Sequence, residues 1–148
     1  MTNYDIIETW TEVREPLLSY SSFGSINDLT YKIIGCCYDV HNELGKGFSE
    51  IVYKDALEYE LNRKNISFTR EKKFEIKYKE VILQHSFYAD FVINNQIILE
   101  VKAQQGVIDE HTKQVLNYLA VSECEIGLLV NFGESSLKYK RLALTNTK

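Results

Sequence analysis

Asp90 and, ten positions on, Glu100-Val101-Lys102 are the residues of this chain whose types and spacing could do chemistry. Two carboxylates could hold a hard divalent cation such as Mg²⁺, which takes oxygen ligands and commonly combines one or two protein acids with water and phosphate oxygens. A lysine two residues from one acid points to the same side, where it could hold or activate a water or offset charge on a phosphate. Asp followed at a distance by Glu-x-Lys is a weak pattern by itself. A solvated polar sheet face with one cross-strand ion pair accounts for the same residues.

Positioning them requires two strands. Phe87, Ala89, Phe91 and Ile93 alternate with Tyr88, Asp90 and Val92; Ile97, Leu99, Val101 and Ala103 alternate with Ile98, Glu100 and Lys102, in both cases with the period of two. Asn94-Asn95 marks the turn. A two-residue loop would set Asp90 against Leu99, mixing acid and core on one face. A three-residue connection, Asn94-Asn95-Gln96, pairs Ile93 with Ile97, Phe91 with Leu99, Ala89 with Val101 and Phe87 with Ala103, and so closes the apolar face. The same register sets Asp90 directly across from Glu100 and Tyr88 across from Lys102. Opposed carboxylates repel, and a divalent cation relieves that cost.

The surrounding elements follow from periodicity. Leu29, Ile33, Ile34, Cys37, Val40 and Leu44 predict a helix over 27–44, and a second follows over 49–64 with Val52, Ala56, Leu57, Tyr59 and Leu61 as packing candidates. Strand character runs through 67–78, 81–93 and 96–103, then helix over 109–121 and strands over 126–132 and 139–144. A meander followed by a crossover helix implies an α/β fold with a mixed central sheet of about five strands flanked by helices. Residues 1–24 read as an N-terminal extension or arm, with a short helix over 4–14 and a linker at Ser21-Ser22-Phe23-Gly24-Ser25, ahead of a single domain over 25–148. The arm carries Trp10 and Pro16, each the single residue of its type.

Composition bounds the function. With 148 residues, 45% of them hydrophobic, the chain suits one domain with a proper core. Cys36, Cys37 and Cys124 lack ligand spacing and read as reduced core thiols. No apolar stretch is long enough to span a membrane and no secretory signal core opens the chain, so a cytoplasmic location is expected. A formal charge of −4 argues against a broad nucleic-acid-coating surface but only weakly against a site whose own acids are neutralised by metal.

Two polar constellations lie on helices. Gly45-Lys46-Gly47-Phe48-Ser49-Glu50-Ile51-Val52-Tyr53 places an acid in the first turn of the second helix, where the macrodipole alone would explain it. A phosphate-binding P-loop is set aside, since no strand precedes the glycines and no Gly-Lys-Ser/Thr follows them. His111, Gln114 and Tyr118 project from one side of the third helix, where a Gln amide could orient a water, a phosphate or the lysine. His41 on the first helix reads as a structural hydrogen-bonding residue.

Taken in order, Gly47-x-x-Glu50-x-x-Tyr53, Tyr88-Ala89-Asp90-Phe91, Ile98-Leu99-Glu100-Val101-Lys102, Gln114-Val115-Leu116-Asn117-Tyr118-Leu119 and Gly127-Leu128-Leu129-Val130-Asn131-Phe132-Gly133 resemble the GxxExxY protein family of the PD-(D/E)XK nuclease superfamily, over about residues 27–144. The resemblance implies a restriction-endonuclease-like core in which Glu50, Asp90, Glu100 and the Val101 carbonyl hold Mg²⁺ or Mn²⁺. It also implies that Lys102 stands beside the attacking water, with Gln114 as a catalytic partner and Tyr118 with it; Tyr53 and His41 are expected as supporting residues. Ala89 replaces the usual proline before the motif Asp, a position that supplies no ligand. The implied activity is metal-dependent hydrolysis of nucleic-acid phosphodiesters, with DNA expected over RNA. A nuclease-fold module that binds nucleic acid or a protein without turnover is the alternative. A domain this small, without a separate reading module, calls for a homodimer or a protein partner to gain specificity.

Overall fold

A computed structural model describes residues 3–12, 25–107 and 109–147, with side chains described over 25–107 and 109–144. The chain runs β1 (Asn3–Glu12), α1 (Ile26–Leu44), α2 (Glu50–Arg63), β2 (Phe68–Tyr78), β3 (Val81–Ile93), β4 (Ile97–Lys102), α3 (Asp109–Ser122), β5 (Ile126–Asn131) and β6 (Lys138–Thr147). The strands form one sheet in the order β1-β6-β5-β4-β3-β2. Only β4 and β5 run parallel, because α3 carries the chain across between them; every other neighbouring pair is antiparallel. The expected α/β layering and mixed sheet are present, and five of the six strands are those read from the periodicity.

The sixth strand corrects one expectation. Of the segment read as a helix over 4–14, the described residues up to Glu12 belong instead to the edge strand β1, paired antiparallel with β6 from Asn3 opposite Thr147 to Glu12 opposite Lys138. Ile6, Ile7, Thr9, Trp10 and Thr11 are β-branched or aromatic, and such residues favour a pleated surface once a partner strand is there. Pro16 and the linker read at Ser21-Ser22-Phe23-Gly24 lie outside the described residues, as does the side chain of Trp10.

Each face of the sheet buries its own core. Ile33, Cys37 and Val40 of α1 and Tyr53, Leu57 and Leu61 of α2 pack on Phe91, Ile93, Ile97, Leu99, Leu128 and Val130. On the opposite face Val115, Tyr118 and Leu119 of α3 pack on Val92, Ile98, Leu129 and Leu142. Helix α1 starts at a reciprocal capping box, in which Ser25 Oγ accepts from the Asp28 N–H and Asp28 Oδ2 accepts from the Ser25 N–H. In α2 the buried stripe is Tyr53, Lys54, Leu57 and Leu61, while Tyr59, expected to pack, is 66% exposed. All three cysteines are buried free thiols, and burial pushes each thiol up from its ordinary range, which keeps it protonated. No helix among the described residues is long and apolar enough to cross a membrane.

The hairpin that carries the acids is built as its turn residues dictate. Asn94 and Asn95 both adopt positive φ, 52° and 54°, and the Gln96 N–H donates to the Ile93 carbonyl, so the loop is a type I′ turn followed by one extra residue. Ile93 then pairs with Ile97, Val92 with Ile98 and Phe91 with Leu99, the register expected for a three-residue connection.

Candidate active site

Beyond Phe91 and Leu99 the hairpin departs from that expectation. The β3–β4 ladder ends there, and the anticipated pairs Ala89 with Val101 and Phe87 with Ala103 do not form. Phe91 and Ile93 face α1 and α2, yet Ala89 and Phe87 pack on the α3 side, where the Phe87 ring stacks on Tyr118 with centroids 4.0 Å apart. Strict alternation would keep all four on one face. The strand therefore exchanges faces at Asp90.

The acids fill the opening. The Asp90 N–H donates to Glu100 Oε1 at 2.9 Å, and the Val101 N–H donates to Asp90 Oδ2 at 2.8 Å. Each carboxylate thus takes a main-chain donor that the ladder no longer satisfies, which is the side-chain alternative open to short acidic residues. Asp90 and Glu100 come together by this exchange rather than by facing each other as a ladder pair. Tyr88, expected across from Lys102, pairs with Lys73 of β2 and is exposed.

Glu100 is 3% exposed. Burial first, and then the neighbouring Asp90 carboxylate, push its carboxyl from 4.5 up to about 8. Lys102 acts on it in the opposite direction. The Phe132 N–H donates to the Lys102 carbonyl on the β5 side, while the Val101 N–H reaches Asp90 on the β3 side. Alternation along β4 accordingly turns the Val101 carbonyl toward the opened gap. Two carboxylates that cannot both be charged without a counter-charge, with a main-chain carbonyl on the same side, form an all-oxygen donor set that suits a hard divalent cation. Among the described residues, no three His, Cys, Asp or Glu side chains are grouped to hold an ion, so Glu50 does not stand as a third acid with the pair.

Glu50 lies instead one helical turn before Lys54 on α2, on the same side of the helix. Tyr53 fixes that helix start. Its hydroxyl donates to the Gly45 carbonyl at 2.6 Å and accepts from the Phe48 N–H at 3.3 Å, and its ring stacks on Phe132 at 4.6 Å. Gly47 between them has φ +114°, a conformation closed to other residues in practice. His41 Nε2 lies 3.0 Å from the Glu134 carbonyl, and its ring lies beside Phe132, so it ties α1 to the loop after β5. Both residues hold scaffold around the acids.

On the α3 side, Gln114 Nε2 donates to the Tyr118 hydroxyl at 2.7 Å. Burial, then the Glu100 charge, push that hydroxyl up to about 12. His111, one turn earlier, is held below the ordinary histidine range by burial and by Lys102, with Glu50 acting against them. Lys102 and Glu50 therefore lie within electrostatic reach of the same imidazole.

Two participants, Lys54 and Glu71, escaped the sequence reading, and Asn131 entered it only inside the motif over 127–133, without a role. Lys54 Nζ donates to Asp90 Oδ1 at 2.9 Å and also to a carboxylate oxygen of Glu71 on β2. Its signal was a lysine on the apolar stripe of α2, three residues before Leu57 and seven before Leu61. Glu71 left no signal, because its role depends on strand register. Asn131, fully buried, receives the Gln104 N–H, donates to the Gln104 carbonyl and so clamps the end of β4 beyond Lys102. A Cβ on Gly133 would lie 2.2 Å from the Gln104 main chain, so that position must stay bare.

The family model of the PD-(D/E)XK nuclease superfamily matches residues 27–142. No curated protein and no solved structure matches the chain.

Proposed function

Since the chain belongs to the PD-(D/E)XK nuclease superfamily, we propose that it is a metal-dependent nuclease that hydrolyses phosphodiester bonds, with DNA preferred over RNA on the resemblance alone. The observation that carries this reading is the opened hairpin, in which Asp90 and Glu100 replace ladder bonds and meet at a gap toward which the Val101 carbonyl turns. Asp90, Glu100 and the Val101 carbonyl would hold Mg²⁺ or Mn²⁺, and Glu50 would approach from α2. The ion would supply a nucleophilic water at neutral pH and charge for the developing phosphorane.

The remaining roles fall to the chain itself. Lys102, two residues beyond Glu100, orients the attacking water and offsets charge on the phosphate oxygens. Asn131 and Gly133 support that role by fixing the main chain on which Lys102 stands. Gln114 is oriented by its hydrogen bond to the Tyr118 hydroxyl, itself within electrostatic reach of Glu100, so its amide would be a preset group for a water or a phosphate oxygen. The raised Glu100 carboxyl would give up its proton to hold a cation, which would couple ion uptake to proton release near neutral pH.

Cleavage of single- and double-stranded DNA and RNA, each with Mg²⁺, with Mn²⁺ and with chelator, tests the reading. Lys102→Ala is expected to lose at least about 100-fold in rate while keeping its circular dichroism spectrum. An unchanged rate would remove Lys102 from the mechanism. No cleavage of any of the four substrates would turn the reading toward a silent binding module.

A further inference from the structure

Lys54 is only 9% exposed, although lysine is rarely buried unless paired. Its ammonium lies between two carboxylates, Asp90 Oδ1 at 2.9 Å and Glu71 Oε1. The Asp90 contact is on the oxygen left over once Oδ2 has taken the Val101 N–H. Lys54 thereby places a positive charge on the pair of acids from within the protein.

Glu71 is unusual in its own right. Arg70 pairs with Phe91 and Lys72 with Ala89, so Glu71 occupies the β2 position opposite Asp90, yet no pair forms there. Its φ is +53°, in the left-handed region that a glutamate side chain disfavours. This strained residue aims its carboxylate at Lys54 while its side chain stays 48% exposed. A half-hydrated carboxylate can accept an ammonium at smaller desolvation cost than a buried one.

A lysine has three donors and cannot share a carboxylate oxygen closely with a divalent ion, since the like charges repel. We propose that Lys54 is the resident counter-cation of Asp90: it holds the carboxylate in the absence of a divalent ion, and yields Oδ1 to the ion by moving its ammonium wholly onto Glu71. Lys54 is then a positioning residue and Glu71 its second anchor. The inference rests on the reading of Asp90 as a metal ligand.

Mn²⁺ titrations of the full chain, followed by electron paramagnetic resonance, test it in four proteins: wild type, Lys54→Met, Glu71→Gln and the double variant. Lys54→Met is expected to bind about 10-fold more tightly, as the competitor is gone, and Glu71→Gln about 5-fold more weakly, as the ammonium loses its retreat. The double variant should bind like Lys54→Met, because Glu71 acts only through Lys54. Additive effects would mean that the two charges act merely as a distant field, and would overturn the hand-over. The metal-free melting temperature of Lys54→Met should fall and recover with Mn²⁺ more fully than in the wild type; a fall that Mn²⁺ does not recover also overturns it. If Lys54→Met does not fold, Glu71→Gln decides alone, and unchanged affinity there overturns the proposal. Asp90→Asn separates the two levels. Wild-type affinity in that variant removes the metal reading and this inference together, whereas lost affinity there with an unaffected Glu71→Gln removes the inference only.

Discussion

The two halves of the β3–β4 hairpin obey different rules. Next to the turn, Phe91, Val92 and Ile93 pair with Leu99, Ile98 and Ile97, and main chain satisfies main chain above a buried apolar layer. A few residues on, the same two strands have parted and acids satisfy the main chain instead. The paired half is supported by hydrophobic burial on both faces of the sheet. The opened half is supported by charge and side-chain bonds: a buried Glu100 whose ionisation is resisted, Asp90 in the grip of Lys54, and an Asn131 side-chain clamp at the end of the β4–β5 pairing. Stability is concentrated in one half, and groups that favour an added cation in the other.

The largest expected effect is in the paired half. Phe91 is fully buried and meets the Phe68 ring edge-on at 5.8 Å, so Phe91→Ala should cost about 3–5 kcal/mol in chemical denaturation. That loss should be the same with and without divalent ion. A loss that shrank with Mn²⁺ would mean that the two halves are not separate.

Gly133→Ala probes the opened half from its β5 side. The added methyl meets the Ala103–Gln104 main chain, which cannot move without loosening the Asn131 clamp. An expected cost of about 1–3 kcal/mol follows from overpacking. Cleavage should fall further than stability does, because Lys102 stands immediately before the displaced segment. Equal losses in the Gly133→Ala and Phe91→Ala proteins, with cleavage per folded molecule intact, would deny the clamp a role in positioning.

The contrast also explains what the sequence could and could not reveal. Helix periodicity and the Asn94-Asn95 turn fix α1, α2 and the paired half, since each rests on local pattern and burial. The opening at Asp90 is invisible because the alternation of letters runs unbroken through Ala89 and Val101. What breaks the ladder is competition between acid side chains and main chain, together with a left-handed Glu71 on the neighbouring strand. Strand β1 escaped for a related reason: its partner β6 lies at the far end of the chain, and no local signal reports a pairing so distant in sequence. The acids, Lys102 and the Gln114–Tyr118 pair were legible as residue types at fixed spacing. Lys54 was legible only as a misplaced charge on a helix stripe, and its partners only once the strands were in register.

The smallest effect sharpens the comparison most. Glu100→Gln keeps an oxygen to accept the Asp90 N–H but cannot ionise. In the wild type the folded carboxyl is raised to about 8 from an ordinary 4.5, so the folded state holds its proton where the unfolded state has released it. The stability linked to that proton is complete below about pH 4.5 and is lost as pH rises toward about 8. The glutamine protein should therefore gain on the wild type across that window, by at least about 1 kcal/mol at its upper end, and should show no such gain at pH 4. Mn²⁺ should narrow the difference, because the wild type, with an ionised Glu100 beside Asp90, gains more from a cation than the glutamine protein does. A difference that does not vary with pH would place the raised carboxyl in doubt, and with it the view that the opened half of the hairpin is held short of one positive charge.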